Sequence, residues 1–249
     1  MKDKNAKDLN ICILMMGGLG TRTGLDIPKQ FVEIKSRPIF SYIIEGMEKA
    51  SAIDSIIIVT VDEYMDYADE WCQKLNCTKL YGIVSGGRNR SESVLNGLKK
   101  AAEIATDESI IMIHDTTHPY VDNQGMLELI DAVRECGGAT LGQRQYDTCY
   151  EIDANDMLVK VIPRECIVSG ASPEAFKFRL IYPIYDQATE EELASMTSAG
   201  ALALKHNIPM KICTLNSLNL KLTFKEDLDL LEASAGTYFF KEEIGNDRA

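Results

Sequence analysis

Largely continuous apolar runs, rather than alternating ones, set the rhythm of this chain. Ile11–Met16, Ile56–Val61, Lys79–Val84, Ile110–Ile113 and Ala139–Leu141 each read as a buried strand, and helical spacing fills the intervals at about 38–50, 64–76, 91–105 and 124–136. Strands apolar along their length need cover on both faces, and their alternation with helices predicts a mostly parallel sheet in an α/β fold. The rhythm breaks at Tyr146–Val168. There Thr148–Ile152 and Leu158–Ile162 flank the polar turn Asp153–Asp156, which predicts a β-hairpin inserted into the fold and projecting from it. Beyond it, helices are predicted at about 174–181, 189–206 and 225–235, with a last strand at Met210–Thr214.

A chain of 249 residues with 45% hydrophobic content can bury a full core, and no Pro/Gly/Ser-rich linker divides it. One domain over residues 1–249 is therefore expected, with 146–168 as an arm within it. The net charge of −12 opposes a nucleic-acid partner, so any role for basic residues must be local. A polar N-terminal segment precedes an apolar run of only six residues, too short for a signal-peptide core or a membrane span; the expectation is a cytoplasmic protein without a membrane partner. Seven cysteines without C-x-x-C spacing read as reduced, mostly buried thiols, and the three scattered histidines do not suggest a zinc site.

The first chemical signal follows the first strand. Gly17, Gly18 and Gly20 remove the Cβ atoms that would keep backbone N–H groups away from a polyphosphate. Arg22 and Lys29, seven residues apart around Pro28, can both fold back over one anion, an arrangement suited to a leaving pyrophosphate. The dinucleotide fingerprint G-x-G-x-x-G fails because Thr23 stands where the third glycine is required, and the G-x-x-x-x-G-K-[ST] loop fails because Lys29 follows Pro28. A second glycine turn, Gly86-Gly87, runs into a helix whose start carries Ser91 and Ser93, able to serve a nucleobase or phosphate or simply to cap the helix. Arg88 and Arg90 fit a ligand or a solvated surface equally. Asp115 ends an apolar strand, where a carboxylate can hold Mg²⁺ or cap the following turn; His114 reads as a structural histidine. All three segments lie just beyond strand ends, so they are expected to converge on one sheet edge.

These motifs, in this order, resemble the polyol-phosphate cytidylyltransferases, the enzymes acting on 2-C-methyl-D-erythritol 4-phosphate and on ribitol 5-phosphate. The shared pattern is Gly-Gly-x-Gly-Thr-Arg with Pro-Lys-Gln-Phe, then Ser-Gly-Gly-x-x-Arg-x-x-Ser-Val-x-x-Gly-Leu, then His-Asp-x-x-x-Pro, and the likeness runs from about residue 10 to about 235. It implies a Rossmann-like fold of the nucleotide-diphospho-sugar transferase type with a projecting β-hairpin dimerisation arm. It implies transfer of CMP from CTP to a polyol phosphate, with release of pyrophosphate. Gly17, Gly18, Leu19 and Gly20 would hold the CTP phosphates, Arg22 and Lys29 would stabilise charge during attack, and Gly87, Arg90 and Ser93 would recognise cytosine and ribose. Asp115 matches the Mg²⁺ ligand. Thr148 and Lys221 would lie beside the acceptor phosphate, Lys221 also contributing to catalysis, and Arg164 would reach that phosphate from the partner subunit of a homodimer.

The chain departs from the family pattern on the acceptor side. His118 precedes Pro119 where an arginine is usual, Ser172-Pro173-Glu174 stands for Thr-Pro-Gln, and Met196-Thr197-Ser198-Ala199 lacks a usual aspartate. Two alternatives remain open from sequence: a sugar-1-phosphate nucleotidyltransferase using another nucleotide, and a nucleotide-binding regulatory protein without turnover.

Overall fold

The computed structural model describes residues 7–18 and 27–239. Seven strands form the central sheet in the order β11-β7-β10-β6-β1-β4-β5. These are β1 (Asn10–Met15), β4 (Ser55–Thr60), β5 (Leu80–Ser85), β6 (Ile110–Asp115), β7 (Gly138–Arg144), β10 (Val168–Lys177) and β11 (Met210–Thr214). A two-residue ladder, β2 (Glu33–Ile34) with β3 (Arg37–Pro38), and the hairpin β8 (Cys149–Ile152) with β9 (Leu158–Ile162) stand apart from it.

Burial explains most of the apolar runs; β5, read from sequence as buried, lies at the sheet edge and has no buried residue. Every residue of β4 is buried, as are all but the first of β1 and all but the last of β6. On one face α1 (Ile39–Lys49), α2 (Met65–Lys74), α4 (Asn123–Cys136) and α8 (Glu226–Tyr238) enclose a core that includes Leu14, Ile58 and Met112. On the other, α3 (Arg90–Ala101), α5 (Phe178–Gln187), α6 (Glu190–Ser195) and α7 (Ala199–Lys205) cover Ile13, Val59 and Ile113. Gly97 lets α3 approach closely: a Cβ there would come within 2.6 Å of Ile13 Cγ2 and 3.0 Å of Val59 Cγ2.

The helix predicted at 174–181 is corrected by the structure. Residues 168–177 form β10, the one sheet strand that runs antiparallel to its neighbours β6 and β7, and helix α5 begins only at Phe178. Pro, Glu and Ala favour reading this segment as a helix start, but Ala171, Ser172, Ala175 and Phe176 are buried and the tertiary ladder overrides that preference. The predicted helix 189–206 is interrupted at Met196–Ser198, giving α6 and α7. Three of the seven free cysteines are buried, fewer than expected, and Cys166 is exposed.

Because β1 pairs with β4 on one side and β6 on the other, its carboxyl end opens a crevice where the chain direction diverges. Register carries Met15 level with Val59 and with Asp115. Antiparallel β10 brings Ser172 to the same edge, where its Oγ accepts the Asp115 N–H at 2.9 Å.

Candidate active site

Gln30 and Lys29, in a buried 3-10 turn at Lys29–Phe31, shape the floor of that crevice. The Gln30 amide donates to the carbonyls of Met16 at 2.6 Å and Gly18 at 2.9 Å, fixing the backbone that leaves β1. Lys29 is only 9% exposed and its ammonium donates to the Leu222 carbonyl, while the Leu222 N–H donates to the Thr117 carbonyl at 2.8 Å. One buried cation thus joins the turn after Pro28 to the segment carrying Lys221. Among the described residues a Cβ at Gly18 would meet nothing within 4 Å, and at Gly17 only Ser93 Oγ at 3.7 Å.

The second glycine turn is braced from α3. Ser93 Oγ accepts the Gly87 N–H at 2.9 Å and donates to the Asn89 carbonyl at 2.8 Å. Asn89, not a serine, caps the helix, its side chain accepting the Glu92 N–H at 2.9 Å. Arg88 is exposed and pairs with Glu92 and Glu190. Arg90 points the other way: Nε and Nη2 each donate to an Asp115 carboxylate oxygen at 3.1 Å, a two-pronged ion pair. Among the described residues no backbone N–H of the following turn donates to the Asp115 side chain. The buried Arg90 Nη1 has no acceptor among the described residues.

Two cavities meet here. One, of about 490 Å³, is bordered by Gly17, Gly18, Lys29, Gly87 and Ser93. The other, of about 470 Å³, lies between β10, β11 and α7, with His118, Ser172, Glu174 and Ser198 among its walls. Arg90, Asp115 and Lys221 border both. A ligand in the first chamber and a ligand in the second would therefore face the same three charges.

His114 is fully buried with Nε2 2.9 Å from the His118 carbonyl, and burial holds its pKa below the usual imidazole value. Burial and the neighbouring His114 push the His118 ring down to about 4, against the pull of Asp115 and with Lys221 and Lys29 adding to the effect. A neutral ring at pH 7 does not replace the cation that the family pattern has before Pro119.

Of the residues singled out from sequence, Gly17, Gly18, Lys29, Gly87, Arg90, Ser93, Asp115 and Lys221 gather in these walls. Leu19, Gly20 and Arg22 lie outside the described residues. Thr148 is exposed and, like Arg164, borders neither cavity of its own chain; Arg164 Nη1 donates to the Tyr146 carbonyl at 2.6 Å within the arm. Gln30 and Asn89 were not singled out individually, and only their positions beside Lys29 and the Gly86-Gly87 turn signal them.

A mostly parallel sheet with an open glycine-lined chamber at its carboxyl edge, joined to a second polar chamber through shared charges, defines a nucleotidyltransferase-like protein. The family described as IspD, 2-C-methyl-D-erythritol 4-phosphate cytidylyltransferase, matches residues 11–236, and the chain belongs to it. A 2-C-methyl-D-erythritol 4-phosphate cytidylyltransferase of Thermotoga neapolitana is 33% identical over 224 residues, covering 89% of this chain and 95% of the relative. A ribitol-5-phosphate cytidylyltransferase of Streptococcus agalactiae is 26% identical over 226 residues, covering 90% and 95%. In structure, the 4-diphosphocytidyl-2C-methyl-D-erythritol synthase of Anaerococcus prevotii superposes with a TM-score of 0.75 at 22% identity, over 91% of this chain and 95% of that one.

Proposed function

We propose that this chain transfers CMP from CTP to a polyol phosphate. An oxygen of the acceptor phosphate attacks the α-phosphorus, the bond to the bridging oxygen breaks, pyrophosphate leaves and a CDP-polyol forms. The observation that carries this reading is the wall of Arg90, Asp115 and Lys221 shared by two chambers, one for each reactant. The relatives named above, for acceptors that are both polyol phosphates, support it.

Gly17 and Gly18, with Leu19 and Gly20, would cradle the triphosphate, and Gly87, Arg90 and Ser93 would hold the nucleoside. Arg22 and Lys29 would offset charge on the leaving pyrophosphate, and Lys221 would draw the acceptor phosphate toward the shared wall. A phosphate monoester is already an anionic nucleophile, so no general base is called for, which suits the neutral rings of His114 and His118. Positioning and charge neutralisation supply the rate.

Asp115 is the group that would hold Mg²⁺. Among the described residues no cluster of three or more His, Cys, Asp or Glu side chains forms a metal cage, and a single carboxylate completed by phosphate oxygens and water is the donor set Mg²⁺ accepts. When bound, the ion would neutralise phosphate charge.

Thr148 and Arg164 enter this reading through a second copy of the chain. The arm exposes Tyr146, Tyr150, Met157, Leu158, Val159 and Val161, and a bare two-stranded hairpin is marginal in water, so it calls for a partner surface. In a twofold dimer each arm would carry Arg164 to the other subunit's acceptor chamber. Lys29→Ala and Arg164→Ala proteins should each lose activity, and mixing them should recover roughly a quarter of the wild-type rate, since half the dimers would carry one intact site. No recovery after demonstrated subunit exchange would rule out the shared site. Calorimetric titration of CTP alongside pyrophosphate release tests the reaction itself: binding without release would favour a regulatory role.

A further inference from the structure

Glu174, where the family pattern has glutamine, adds a charge beside the shared wall, and the structure gives that charge fixed surroundings. Its Oε2 accepts the Ala199 N–H at 3.0 Å and its Oε1 accepts the Gly200 N–H at 2.8 Å, so the carboxylate is pinned at the start of α7. Oε2 also lies 3.8 Å from Arg90 Nη2, the same nitrogen that donates to Asp115 at 3.1 Å. Arg90 thus sits between two carboxylates and leans on Asp115.

That arrangement competes with a divalent cation for Asp115. Both Asp115 oxygens are engaged by the guanidinium, whereas Mg²⁺ binds a carboxylate oxygen at about 2.0–2.1 Å and would place its own charge beside Arg90. Repulsion between the two positive charges weakens the hold of the guanidinium on Asp115. With that pair weakened, a guanidinium only 30% exposed at the side chain would lack a close counter-charge, which is unfavourable. Glu174 is already within reach, needs no rearrangement of its own, and is only 13% exposed at the side chain. Two further groups leave the network capacity to rearrange: Arg90 Nη1 and the fully buried Tyr185 hydroxyl, which interacts electrostatically with Arg90 and Glu174, both lack a hydrogen-bond partner among the described residues.

We propose that Glu174 is a positioning residue that takes over Arg90 when Asp115 engages a divalent cation, keeping the guanidinium in the wall between the two chambers. The proposal rests on Asp115 as the metal ligand. It makes the departure from glutamine functional: in this chain the second carboxylate sets how readily Asp115 is released to the metal.

The test is a double-mutant cycle read by protein-bound Mn²⁺ in electron paramagnetic resonance, with α,β-methylene CTP present so that no turnover occurs. Glu174→Gln keeps the size and one of the two acceptors for the α7 N–H groups and removes the charge. It should weaken Mn²⁺ binding roughly fivefold to tenfold when Arg90 is present and less than about twofold in an Arg90→Gln background, because no guanidinium is left to hand over. Equal weakening in both backgrounds would mean a simple through-space charge effect and would overturn the proposal, as would unchanged or tighter binding in Glu174→Gln itself. Asp115→Asn separates the two levels. Mn²⁺ binding that survives Asp115→Asn overturns the metal assignment as well, whereas binding lost in Asp115→Asn without coupling between Glu174 and Arg90 overturns the Glu174 role alone. Thermal melting checks each variant, with Arg90→Met replacing Arg90→Gln if the latter does not unfold cooperatively.

Discussion

Replacing Lys29 with alanine is expected to lower turnover by about 10²–10³, the range typical of removing one preorganised charge-stabilising donor. The ammonium is held in a buried position bordering the first chamber, so it would meet developing charge without first being gathered from solvent. The same side chain donates to the Leu222 carbonyl, and its loss should also reduce stability by about 1.5–3 kcal/mol, the usual contribution of a hydrogen bond to a charged group. Lys29→Arg should restore the structural link only in part and turnover less, because a planar guanidinium does not fit the place of a compact ammonium. Steady-state kinetics beside thermal melts separates the two effects. Near wild-type turnover in a folded Lys29→Ala protein would remove Lys29 from the chemistry.

Asp115→Asn should reduce kcat/KM by at least about 10², since several kcal/mol of charge stabilisation depend on the bound cation and each 1.4 kcal/mol is tenfold. Asparagine retains the size and one acceptor for Arg90, and Glu174 remains 3.8 Å away as a counter-charge, so the melting temperature should fall only slightly. The distinguishing readout is the magnesium dependence: raising Mg²⁺ should recover part of the lost rate. A protein that melts far earlier yet retains activity at low temperature would make the Arg90–Asp115 pair structural and nothing more.

Much of this architecture is legible from apolar continuity alone. β1, β4 and β6 fall within one or two residues of their predicted spans because a strand buried on both faces leaves no polar position to blur its limits; β5, an edge strand with no buried residue, falls as close on its apolar content alone. The hairpin is legible for the opposite reason, its alternation and its polar turn. β10 is not, because a segment with Pro173 and Glu174 carries little strand propensity and is held by pairing with residues about 30 and 60 positions distant. In the site, glycines and lone cations stand out in sequence through their spacing. The union of Arg90, Asp115 and Glu174 does not, because it depends on sheet register, and neither does the depressed pKa of His118, which depends on what surrounds the ring.

The central claim is acceptor-dependent transfer from CTP. It is tested most directly by incubating the full-length protein with CTP, Mg²⁺ and single polyol phosphates, among them 2-C-methyl-D-erythritol 4-phosphate and ribitol 5-phosphate. Pyrophosphate release would be followed with mass detection of the nucleotide product. The account predicts release that requires a polyol phosphate, yields an equal amount of CDP-polyol, strongly prefers CTP over UTP and GTP, and falls by at least about 10² in Asp115→Asn. CTP binding with no acceptor-dependent pyrophosphate across the panel, or turnover only with another nucleotide and a sugar 1-phosphate, would contradict it.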